Sequence, residues 1–161
     1  MSLTEFFNNF SSIIVFLHVV SAVLWVGGMI AIRFAVHYSM QNIEDPKVKL
    51  GRTLENLKRF FNMVIPAILT LLITAIIMII ALGFKGTELY GIVILKEVIW
   101  TGMTLIFMTI YIKRNKAQKA FDSGDFANAK NKLLPIAAYF IPANIVLGLI
   151  AIFLGITLRG F

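Results

Sequence analysis

Four apolar runs recur along this chain, near residues 12–35, 61–83, 91–112 and 135–158, each close to the ~20 residues that a hydrocarbon core of about 30 Å requires. Backbone in lipid has no water to bond, so runs of this length read as helices that satisfy their own N–H and C=O groups. Composition points the same way. Of 161 residues, 59% are hydrophobic and 14% charged, and mean hydropathy is +0.87, more apolar surface than a water-soluble domain of this length can cover. The expected fold is an all-α integral membrane protein, a four-transmembrane-helix bundle forming a single membrane domain over residues 1–161.

Charge sets the expected orientation. Lys47, Lys49, Arg52, Lys58 and Arg59 lie between the first and second spans, and Lys113, Arg114, Lys116, Lys119, Lys130 and Lys132 between the third and fourth. By the positive-inside rule both segments face the cytoplasm. The opposite side holds only Lys85 and Glu88 in a short turn and Arg159 near the C-terminus. Both termini are therefore expected on the outer, periplasmic side of a bacterial inner membrane. The N-terminus is expected to stay in the protein, because it carries Glu5 instead of a basic stretch and no small-x-small cleavage site follows. The net charge of +7 is accounted for by this asymmetry and by anionic headgroups of the lipid bilayer, so no nucleic-acid partner is expected.

Cytoplasmic segments 39–60 and 113–132 carry their own signals. Glu44-Asp45-Pro46 is a helix start, and Leu50, Leu54 and Leu57 make an amphipathic face expected to lie on the membrane surface before running into the second span. Residues 113–132 read as an extension of the third span, a turn at Asp122-Ser123-Gly124-Asp125, and a lead into the fourth.

Within the spans, the costly residues share a depth. If the first helix enters near Ser12, His18 lies about 9 Å below the outer surface at 1.5 Å per residue. Lys96, Glu97 and Met78 fall in the same layer. Each charge costs ~2.5–3.5 kcal/mol near a helix centre on the insertion scale, which makes such residues functional candidates. The chain has no cysteine, so thiolate ligands, disulfides and thiol catalysis are excluded. Metal chemistry would fall to His, Met, Lys or carboxylates.

Steps of three and four from His18 reach Ser21, Ala22, Trp25, Gly28 and Met29. That stripe either leaves room for a ligand beside the histidine or lets a neighbouring helix come close. Lys96 and Glu97 point about 100° apart. Lys96 either snorkels outward, with Glu97 pairing to it or to Lys85, or turns inward on a face shared with Trp100, Met103 and Phe107, which could wall a flat cofactor. His37 is nineteen residues from His18, roughly 28 Å on one helix, and cannot share a metal with it; it belongs to the cytoplasmic interface with Arg33 and Tyr38.

The stretch from Leu17-His18 through Trp25-Val26-Gly27-Gly28-Met29, followed by Arg33 and His37-Tyr38, resembles the first helix of the HemJ-type protoporphyrinogen oxidases. Arg59 through Thr70, with Pro66-Ala67, is similar to their second helix, and Lys96 falls where the third carries a lysine. The chain differs in lacking a histidine after that lysine and in reversing the Tyr-His order at 37–38. His18 followed by Trp-Val-Gly-Gly, together with Tyr90-Gly91 through Lys96, also resembles the membrane domain of copper resistance protein D.

The first resemblance implies a haem b-binding oxidoreductase that oxidises a porphyrin substrate and passes electrons to quinone. On it, His18, Trp25, Gly28, Lys96 and Trp100 are expected to contact cofactor, Lys96 and Glu97 to act in catalysis, and His18, Met78 and Met103 to offer metal ligands. The second implies copper transport or binding without haem, through His18 with Met78 or Met103 as soft ligands. A structural subunit of a larger complex is a third reading. A glycine-rich first helix would also suit a homodimer.

Overall fold

Local signals set where each helix begins and ends. Ser2 and Glu5 form a reciprocal capping box at the first start, satisfying backbone donors the first turn leaves open. Asp45 accepts from the N–H groups of Lys47 and Val48, with Pro46 as the first helical residue. Gly83, at φ 61°, ends that helix in the left-handed conformation that favours glycine. Gly124, at φ 82°, makes the last turn, and Asp125 caps the final helix through Asn128 N–H.

The computed structural model describes residues 2–158; Arg159 lies outside the described residues. Among the described residues four helices are long and apolar enough to cross a membrane: α1 (Leu3–Gln41), α2 (Pro46–Leu82), α3 (Tyr90–Asp122) and α4 (Phe126–Thr157). No strand occurs among the described residues. The chain is an all-α, multi-pass membrane bundle. Neighbours run antiparallel. The α1–α2 and α3–α4 hairpins carry the most extensive packing, and α2–α3 and α1–α4 contacts close the bundle.

The helices have 39, 37, 33 and 32 residues, whereas about 20 suffice to cross the hydrocarbon. Much of the excess projects beyond the basic end, and here the structure corrects an expectation. Leu50, Leu54 and Leu57 do not lie on the membrane surface; they are buried, in one apolar cluster with Ala117, Ala120 and Ala129 of α3 and α4. The small alanines let the extended helices pack closely enough to cover the leucine stripe. Arg114 stitches the same region. Its guanidinium is buried and donates to Leu54 O at 3.2 and 2.9 Å and to Gln118 Oε1 at 2.8 Å.

The continuous core runs from this extension to Trp25, Leu71, Met103 and Ile145. It stops there. Toward the end that holds Ser2 and Leu158, large hydrophobics such as Phe16, Ile73 and Phe153 are mostly exposed.

Among the described residues three π-helical turns interrupt the helices, at Val23–Gly27, Ile32–Val36 and Ile136–Phe140. The last has a local cause: Pro142 has no N–H to offer the carbonyl of Ala138, and Ile141 N–H bonds back to Ile136 O instead. The first two flank Gly28–Ala31 and shift the α1 register between His18 and His37. Phe10 (φ −122°, ψ 19°) kinks α1 near its start.

Candidate functional site

Thr74 of α2 is buried, and its hydroxyl donates to Thr70 O at 2.7 Å, with Leu71 O at 3.2 Å. Its 2.8 Å contact with His18 Nδ1 is a hydrogen bond in which, while that proton stays on the Thr70 carbonyl, the hydroxyl oxygen accepts and the imidazole donates. In that arrangement His18 is the Nδ1–H tautomer and Nε2 carries the lone pair. A second group that fixes tautomer and ring orientation in this way is the usual companion of a ligating histidine.

Packing at two glycines of α4 fixes the level of the remaining groups. A Cβ at Gly148 would lie 2.6 Å from Val26 Cγ2 and 3.2 Å from Met103 Cε, so Val26, Met103 and Gly148 share a level. Seven residues further, about 10 Å at 1.5 Å per residue, come Val19, Lys96 and Gly155. A Cβ at Gly155 would lie 2.9 Å from Lys96 Nζ. His18, Thr74, Lys96 and Gly155 thus form one layer, just beyond the end of the apolar core. Lys96 runs inward across α4 near its C-terminal turn, where helix carbonyls favour a cation. Among the described residues it forms no ion pair.

Trp100 follows Lys96 by one turn and packs against the core. Its indole Nε1 is buried without an acceptor among the described residues. Met78 is half-buried one turn beyond Thr74 on the same face of α2, which puts a thioether beside the layer.

Other expected site residues are placed elsewhere. Met103 is buried against Gly148 at the level of Val26, eight residues or about 12 Å from His18 along the axis, so these two do not converge on one ion. Glu97 is exposed on the outward side of α3, away from His18. Trp25 is only 1% exposed and lies edge-on to Phe107, with centroids 6.2 Å apart; its Nε1 also lacks an acceptor. Gly28 is filled from α2, since a Cβ there would lie 2.5 Å from Phe60 Cε2. Of the two roles open to the glycine stripe, Gly28 takes close helix approach. His37, beside Tyr38, bonds Gln41 at 3.2 Å near the basic end and belongs to no shared site with His18.

Two members of the layer escaped the sequence, and so did one buried amide deeper in the bundle. Thr74 is one of several threonines in apolar context. Gly155 carried a faint signal, the seven-residue spacing from Gly148 that puts both on one face of α4. Asn144, on that same face, is wholly buried with both amide atoms unpartnered among the described residues, and a polar residue in the fourth apolar run could have flagged it.

No family model, curated protein or solved structure matches this chain. The site therefore rests on its own geometry. An apolar groove of about 320 Å³ between α1 and α2, lined by Phe10, Ile14, Leu17, Thr70, Ile73 and Thr74 among others, opens beside it. Among the described residues no three His, Asp or Glu side chains gather as a metal cluster. The donor chemistry of the layer is instead one imidazole nitrogen, one ammonium and one buried indole N–H.

Proposed function

We propose that this chain is a haem b-binding membrane oxidoreductase in which His18 would hold the haem iron through Nε2. The observation that carries the reading is the His18–Thr74 hydrogen bond, which, with the hydroxyl proton on Thr70 O, leaves Nε2 unprotonated in a layer shared with a cation. The residues present suit the group: Lys96 offers a positive charge to a carboxylate, and the Trp100 Nε1–H, without a protein acceptor, offers a buried donor. When bound, haem supplies one-electron redox chemistry, and its potential follows from ligand identity and burial. The chain's own part is to orient the imidazole through Thr74, to hold an acidic group at Lys96, and to keep water from the core side through Trp100 and Trp25.

A reduced porphyrin bearing carboxylates is the substrate class that fits Lys96, with quinone as the electron acceptor; the likeness of the first and second helices to HemJ-type protoporphyrinogen oxidases supports this choice. The basic end is cytoplasmic by its charge, and the His18 layer lies in the outer half of a bacterial inner membrane.

One observation favours a second reading. Met78 stands one turn from Thr74 on the same face, so His18 and Met78 offer a soft donor pair to copper, as in a copper-binding protein without haem.

An optical spectrum separates the two. Detergent-purified protein is expected to show a Soret band and a reduced α-band that vanish in His18→Ala and persist in His37→Ala. Colourless protein that takes up copper stoichiometrically, and loses it in Met78→Leu, would sink the haem reading and establish the other.

A further inference from the structure

We propose that the lipid-facing side of α3 is a self-association surface, on which Glu97 of one copy packs against Thr101 of a second copy. Depth is the first argument. Tyr90 and Tyr111 are both exposed on α3, and 21 residues of helix separate them by about 32 Å, the hydrocarbon thickness that interfacial tyrosines bracket. Glu97 lies seven residues, about 10 Å, inside that boundary. It is exposed on the outward side of the bundle and has no ion-pair partner among the described residues. Carboxylates at such depth almost always face a bundle interior or a polar partner, and the described residues do not provide one.

The surface around it has the pattern of a helix-pairing seam. Val98, Thr101, Gly102 and Leu105 stand at i, i+3, i+4 and i+7, with Val98 63% and Leu105 60% exposed. A Cβ at Gly102 would meet nothing within 4 Å, so the small residues leave room for a second helix between the two large ones. Thr101 Oγ1 donates to its own Glu97 O at 2.9 Å. A hydroxyl rotor can turn that proton outward to a neighbouring carboxylate. Two copies in one membrane are parallel about a two-fold axis along its normal, and Thr101 lies one turn, about 6 Å, deeper than Glu97, so each Glu97 reaches diagonally to the Thr101 of its mate and the patch is complementary to itself. That self-complementarity selects a second copy of this chain as the occupant. The glycine-rich stretch of α1 is a poorer surface, because Phe60 already fills Gly28. None of this depends on haem.

The chain's lack of cysteine makes a clean test. Leu105→Cys in native membranes, treated with a mild oxidant, is expected to give a disulfide-linked dimer, whereas Ile73→Cys on the exposed side of α2 is not. Adding Glu97→Leu or Thr101→Val is expected to lower the dimer yield about three- to twenty-fold, the range that hydrogen bonds between membrane helices span. Glu97→Gln retains a hydrogen-bonding side chain and is expected to keep most of the yield, which guards against misfolding as the cause. The proposal is overturned if Leu105→Cys cross-links no more than Ile73→Cys. It is equally overturned if Glu97→Leu leaves the yield unchanged.

Discussion

His18 and Thr74 are joined across the α1–α2 hairpin: Nδ1 lies 2.8 Å from a hydroxyl that also lies 2.7 Å from Thr70 O, an arrangement in which the imidazole donates when the hydroxyl proton is on that carbonyl. Thr74→Val removes the acceptor while keeping the shape. Loss of such an orienting partner typically costs 10–100-fold in affinity at a metal-bound histidine, so haem titration of the apoprotein should weaken by about that factor. Thr74→Ser should retain most of the binding. Equal affinity for the threonine and valine proteins would remove the role assigned to the hydroxyl.

Gly148 and Gly155 offer the same substitution against different neighbours. Alanine at 148 would press on Val26 Cγ2 at 2.6 Å and on Met103, inside the packed core, and should destabilise by about 1–3 kcal/mol. Alanine at 155 meets only the end of the Lys96 side chain, which can swing aside, so its thermal unfolding should stay near that of the parent. Gly155→Ala should instead disturb the ligand titration.

At Gly28 the obstacle is a single ring. Gly28→Ala should destabilise by about 1–3 kcal/mol because Phe60 Cε2 lies 2.5 Å from the new Cβ. Phe60→Leu shortens that ring's reach and should recover part of the loss. A double-mutant cycle in detergent unfolding checks this, with a coupling of about 0.5–3 kcal/mol expected for residues in contact.

Asn144 is 0% exposed, with neither amide atom bonded among the described residues. A buried polar group left unpaired costs about 1–3 kcal/mol, and an apolar group of similar shape avoids that cost. Asn144→Leu should therefore unfold at higher temperature. A lower unfolding temperature would show that the amide has a partner in the membrane, an ordered water being the simplest.

Arg114 donates to the α2 backbone from α3. Lysine lacks the planar fork that reaches Leu54 O and Gln118 Oε1 together. Arg114→Lys should cost about 1.5–3 kcal/mol, the worth of a charged hydrogen bond, read from chemical unfolding of the purified protein.

The membrane fold was legible because apolar length, backbone satisfaction and cap chemistry all act locally: four long apolar runs, Asp45-Pro46 and Gly124-Asp125 are enough to mark four helices and the turns between them. The common depth of His18 and Lys96 was legible too, since a straight helix converts residue count into height. Which neighbour fills the space at a small residue was not, because a glycine stripe reads alike whether a ligand or Phe60 faces it. Met103 illustrates the same limit: seven residues from Lys96 on its own face, it packs into Gly148 and turns to the core. The leucines at 50, 54 and 57 promised an amphipathic helix, and only the alanines brought opposite them decided between lipid surface and bundle core. Sequence alone determined what each helix is and how deep its polar residues sit. Tertiary structure decided the partners, Thr74 for His18 and Gly155 for Lys96, because contact depends on helix rotation and neighbour identity, to which a single helix's periodicity is blind.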